Sequence, residues 1–215
     1  MYPGDIVLSV ATVNDEFSTN MPRVLIRAGQ LLKMKMFNNA GSPEVPVVHA
    51  AIAVGGNTVI ESVGEGIVAT NLMDERPPRS ALVYSCTTQD LSEAAAFAAS
   101  QFYNDRSNNA IAGEYSCTKA MCSIVRSGAG NGNLQQRIQD SISIGSKSFC
   151  SQFVVNCYEI GLLYSSANLM PPPPPPVFNQ RAQAMTPYEL AAFCDRQNSG
   201  FRLSGFWEDG NQVTL

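Results

Sequence analysis

The sequence has almost no histidine: His49 is the only one in 215 residues. It also has no Cys-x-x-Cys pair, so neither common half of a zinc site is present, and Cys117 with Cys122 makes a poor metal clip alone. No metal and no cofactor is expected. Charge is sparse as well, at 15% of residues, and 14 basic side chains against 18 acidic ones leave a formal net charge of -4. No basic block is long enough to follow a phosphate backbone, so nucleic acid is not an expected partner. Long apolar runs are missing too. Nothing approaches the roughly 18 residues of a membrane span, and "MYPGDIVLSV" lacks the basic-then-apolar order of a signal peptide. The expectation is a protein that is cytoplasmic as synthesised, with any export left to a specialised secretion system. A disulfide framework is also missing. Cys86, Cys117, Cys122, Cys150, Cys157 and Cys194 are scattered along a chain long enough to build its own core, and are expected to be reduced and mostly buried.

What the sequence does have is a 45% hydrophobic content and no internal repeat, which predicts one domain over residues 1–215. "GDIVLSVA" alternates as a strand after a Pro-Gly turn. "MPRVLIRAGQLLKMKMFN" places apolar and basic residues at helical spacing and predicts a helix from about Pro22 to Phe37. "VVHAAIAVGGNTVIES" predicts a hairpin over Val47 to Ser62, and "GIVATNL" and "SALVYSC" predict further strands. "TTQDLSEAAAFAASQFYND" predicts a helix from about Gln89 to Tyr103, with Thr88 as candidate N-cap. "YSCTKAMCSIVRSG" predicts another, closed by Gly128, and "KSFCSQFVVNCYEIGLL" a third, capped by Ser146 or Ser148 and stopped by Gly161. Six prolines, Pro171 to Pro176, demand extended polyproline II, either a stiff surface connector or a docking segment for a protein partner. "TPYELAAFCDR" carries a capping box, with Thr186 as N-cap, Pro187 at N1 and Glu189 at N3. These elements add up to an α+β fold, a small antiparallel sheet with helices packed on it.

The chemistry gathers around His49. If Gly55 to Asn57 form a three-residue loop, His49 lies opposite Val63 and Glu61 is its diagonal neighbour on the same face. A two-residue loop would turn Glu61 to the other face. The neighbours on that face, Ala51 and Ala53, are small and are expected to leave room for another element. A histidine oriented by a carboxylate is a general base suited to a nucleophile. Cys150 is a candidate because it falls in the first turn of its helix, where free N–H groups and the helix dipole favour a thiolate. Cys117, also near a helix start, is the rival on local physics. Cys157 is expected in the core.

The run "HAAIAVGGNTVIE" resembles the NlpC-type papain-like cysteine peptidases and amidases. In these a histidine opens a strand, a Gly-rich turn follows, and a third polar residue comes twelve positions after the histidine. Here the cysteine helix follows the hairpin, as in the circularly permuted branch that includes the YiiX-like hydrolases and the lecithin retinol acyltransferase-like enzymes. "GDIVL" resembles that branch's first strand, "FCSQFVVNCY" its cysteine helix and "TPYELAAF" a helix start near its C-terminus. The resemblance implies a permuted papain-like fold with Cys150 as nucleophile, His49 as base and later acid, and Glu61 orienting the imidazole. Glutamate stands where the NlpC pattern more often has histidine or an amide. The implied activity is cleavage of an amide in a peptide or peptidoglycan stem through a thioester. The acyltransferase branch shows Asn-Cys-Glu-His around its nucleophile where this chain has Phe149-Cys150-Ser151-Gln152, so the match favours hydrolysis over acyl transfer. A lipid substrate on the same machinery, and an inactive binding module, are the alternatives.

Overall fold

The computed structural model describes residues 1–10, 47–63, 66–75, 79–108, 150–165, 175–178, 185–208 and 211–214. The elements, in chain order, are β1 (Ile6–Val10), β2 (Val47–Gly55), β3 (Thr58–Val63), β4 (Gly66–Asn71), β5 (Ala81–Cys86), α1 (Gln89–Asn108), α2 (Cys150–Ser165), α3 (Pro187–Cys194), β6 (Phe201–Glu208) and β7 (Asn211–Thr214). The strands form one antiparallel sheet in the order β4-β3-β2-β1-β5-β6-β7. The α+β class is as expected, but the sheet is larger, because "FRLSGFWE" and "NQVT" add two strands that were not anticipated. The expected helices from Pro22 to Phe37 and up to Gly128 lie outside the described residues, as do Cys117, Cys122, Ser146, Ser148 and Pro171 to Pro174.

β1 explains the layering. Its side chains alternate between two cores: Ile6 and Leu8 enter a large cluster under the helices, while Val7 enters a smaller one on the opposite face. The large core takes Phe153, Val154, Cys157 and Tyr158 from α2 and Ala95, Ala98, Ala99 and Phe102 from α1. Those α1 residues recur at the spacing of one helix face, and the alanines let α2 come close. Burying each large apolar side chain here is worth about 1.5–3 kcal/mol. The smaller core packs Ala51, Ala53, Val59, Leu72, Val83 and Trp207.

α2 does not stop at Gly161; it runs on to Ser165. A Cβ at Gly161 would stand 2.8 Å from the Ala95 backbone nitrogen, so this glycine marks where α1 and α2 touch rather than a helix end. α3 begins with the expected capping box. Thr186 Oγ1 accepts from the Glu189 N–H at 3.2 Å, and the Thr186 N–H donates to Glu189 Oε2 at 2.8 Å. Beyond the proline run, the Val177 N–H donates to Glu159 Oε1 of α2 at 2.9 Å, and Phe178 is buried among Tyr158, Phe193 and Phe201. Pro175 and Pro176 are exposed.

Candidate active site

The β2–β3 hairpin sets the first two residues. Its strands leave only Gly56 and Asn57 in the turn, and a bulge between Ala53 and Gly55 makes up the register to Ala51↔Glu61 and Ala53↔Val59. Gly55 and Gly56 have φ of 121° and 58°, which glycine adopts at low steric cost. The turn is thus shorter than the expected three residues, yet the register is the one that loop implied. Glu61 stays on the side of His49, and His49 Nε2 and Glu61 Oε2 are 2.6 Å apart.

The cysteine comes from across the sheet. Cys150 lies on α2, whose described residues begin with it; it is 7% exposed, and its thiol is hydrogen-bonded to the His49 ring. Nε2 is occupied by Glu61, which leaves Nδ1 as the nitrogen available to sulfur. The sulfur also accepts from the backbone N–H groups of Ala50 and Ser151. Pairing of β2 with β3 ends at Ala51↔Glu61, so Ala50 lies just past the last paired residue. Ser151 Oγ donates to the Met185 carbonyl at 2.6 Å and ties the start of α2 to the segment entering α3. The three candidate residues therefore form one hydrogen-bonded line, Cys150 to His49 to Glu61.

One expectation is corrected. Ala51 and Ala53 do not clear a path for the cysteine helix; both are fully buried in the small core with Trp207 and Leu72. The helix packs instead on the face carrying Ala50 and Ile52. Small side chains beside a histidine fit a tight core as well as an open approach, and the sequence alone does not distinguish them.

The electrostatics favour charge separation. Burial opposes a proton on His49, but the hydrogen bonds to Cys150 and Glu61 and their charges outweigh it and raise the imidazole to about 9. Burial likewise opposes a thiolate at Cys150, and His49 with the two backbone donors outweighs that, holding the thiol below its ordinary range. The other described thiols move the opposite way: burial pushes Cys86 and Cys194 up, and Cys157, fully buried in the large core, well up.

Behind Glu61 stands a cation that no sequence pattern marks. Arg79 is 7% exposed and donates twice to Glu61, from Nη1 to Oε2 at 2.7 Å and from Nη2 to Oε1 at 3.0 Å. It donates twice more to Glu75, from Nε to Oε2 and from Nη2 to Oε1, both at 2.8 Å. Thr70 Oγ1 adds a donor to Glu61 Oε1 at 2.6 Å. Burial raises the proton affinity of Glu61, but His49 and Arg79 overcome it and hold the carboxyl far below the usual carboxylate range. Thr70 was within reach of sequence reasoning, since it lies on β4 across from Val59, two positions from Glu61 on the same face. Arg79 was not, because the second arginine of "ERPPR" resembles any solvated loop charge.

Among the described residues no group of three or more His, Cys, Asp or Glu side chains is arranged to hold a metal ion, and no helix is long and apolar enough to cross a membrane. No family model matches the chain, and no curated protein or solved structure matches it either.

Proposed function

We propose that this chain is a cysteine hydrolase of the permuted NlpC type, with a papain-like fold, that cleaves an amide bond in a peptide or peptidoglycan stem. The observation that carries the reading is the hydrogen-bonded line from the Cys150 sulfur through His49 to Glu61, assembled from one helix and two strands. The Cys150 thiolate attacks the carbonyl carbon of the amide. The tetrahedral adduct collapses to a thioester as the His49 imidazolium gives its proton to the departing amine. His49, now neutral, takes a proton from water as that water attacks the thioester. The carboxylic acid leaves and the ion pair is restored. Glu61 holds the imidazole in one orientation and stabilises its charged form at both stages.

The experiment is labelling with a cysteine-directed electrophile, followed by mapping of the modified residue. Cys86 is the more exposed thiol and Cys150 the activated one, so accessibility and activation make opposite predictions. Cys150 is expected to react first, and His49→Ala to remove that preference. Cys150→Ala is expected to abolish turnover of peptidoglycan fragments by at least about a thousandfold, the order seen when a nucleophile is removed. Cys86 reacting as fast as Cys150 in the wild-type protein would sink the reading. Turnover of phospholipid with none of peptidoglycan would keep the machinery and reassign the substrate.

A further inference from the structure

Glu61 has more partners than orienting an imidazole requires. Each of its oxygens receives two donors: His49 and Arg79 on Oε2, Thr70 and Arg79 on Oε1. The Arg79 fork fixes the plane of the carboxylate, which cannot turn Oε2 away from His49 without breaking both guanidinium bonds. Arg79 is held from the far side by Glu75, whose side chain is 20% exposed while that of Arg79 is 6% exposed. The charged groups thus alternate in sign along one chain: Glu75, Arg79, Glu61, His49, Cys150. The groups facing His49 itself are Cys150 from α2 and Glu61 from β3, with the uncharged Ser9 opposite it on β1.

We infer that Arg79 is a positioning residue that acts on His49 through Glu61, keeping the carboxylate anionic and in one orientation, with Glu75 as the charge that balances Arg79. This rests on the reading of Cys150 and His49 as the reactive pair. Its consequence is a pair of effects with opposite sign. Removing the Arg79 cation leaves the site with excess negative charge, so the thiolate becomes harder to form. Removing the Glu75 anion leaves the Arg79 charge less compensated, so the thiolate becomes easier to form. A purely structural ion pair has no reason to produce opposite signs, since both substitutions loosen the same contact.

The test is the pH midpoint of Cys150 alkylation by iodoacetamide, read by mass spectrometry in wild type, Arg79→Met, Arg79→Lys and Glu75→Gln. Arg79→Met is expected to move the midpoint up by about one pH unit, a roughly tenfold slower reaction on the acid limb. Arg79→Lys, which keeps the charge and loses the fork, is expected to fall between Arg79→Met and wild type. Glu75→Gln is expected to move the midpoint down by a few tenths, the smaller shift reflecting solvent screening of a partly exposed group. A wild-type Cys150 with an ordinary thiol profile would overturn the underlying site. An activated wild-type Cys150 whose midpoint is unmoved by Arg79→Lys and Glu75→Gln, or moved the same way by both, would overturn the role of Arg79 and leave the site standing. If Arg79→Met does not fold, the other two variants decide the matter.

Discussion

At the scale of single residues, Cys150 and His49 have to be titrated as one unit. In an unfolded chain the imidazole titrates at 6.5 and the thiol at 9.0. Taken alone, His49, raised to about 9, adds stability that is complete below 6.5 and lost as the pH rises to about 9. Taken alone, Cys150, lowered, adds stability that is complete above 9.0 and lost as the pH falls toward its folded value. For as long as the folded pair is imidazolium and thiolate it holds one proton, as the unfolded pair does between 6.5 and 9.0, and the two contributions then cancel. Below 6.5 the unfolded chain takes up a second proton while the folded thiolate resists, and stability falls. The expected result is a difference in unfolding free energy between wild type and His49→Ala that is flat from pH 6.5 to 9 and shrinks from pH 6.5 down to about 5, read from urea titrations. A difference that does not shrink below pH 6.5 would mean that the folded thiol takes up a proton along with the unfolded imidazole, so that His49 does not hold Cys150 down. The pairing of His49 with Glu61 was legible in the sequence because hairpin register is a local property, whereas Cys150 was set apart from Cys117, also near an expected helix start, only by the family resemblance. Arg79 was not legible, since its meaning depends on β3 and on Glu75 at the same time.

At the scale of elements, the same letters served different purposes. Glycine closes many helices, and in sequence Gly161 looks like one more stop. In the fold it is the point where α2 meets Ala94 and Ala95 of α1, with no room for a Cβ. Gly161→Ala, a change that raises helix propensity, is therefore expected to destabilise the protein by about 1–3 kcal/mol through overpacking, where propensity alone would make it stabilising by about 1 kcal/mol. Thermal unfolding decides between the signs, at about 2–4 °C per kcal/mol for a chain of this size. The Thr186 capping box was read correctly because its residues are adjacent and each satisfies the other's backbone. β6 and β7 were overlooked although "FRLSGFW" alternates and Asp209-Gly210 is a hairpin signal between them. The turn of the β2–β3 hairpin shows a third outcome: its expected register is present, produced by a bulge at Gly55 rather than by a longer loop.

At the scale of the whole molecule, the sheet is the common wall of two cores, and the candidate site spans that wall. His49 and Glu61 lie on strands whose alternate residues enter both clusters, while Cys150 rides on a helix in the large cluster alone. Loss of either core would strip one face from β1, whose Ile6, Val7 and Leu8 are fully buried. Neither half is then stable without the other, and unfolding should be cooperative. Trp207, the only tryptophan, reports on the small core, and Cys157, with no exposure at all, reports on the large one. In a urea titration, Trp207 fluorescence, helical circular dichroism and Cys157 alkylation are expected to share one midpoint. A Trp207 transition at lower urea, with Cys157 still protected, would show that β6 and the small core open separately. In that event His49 would be expected to keep its partner Cys150 through the first transition, since α2 belongs to the core that remains.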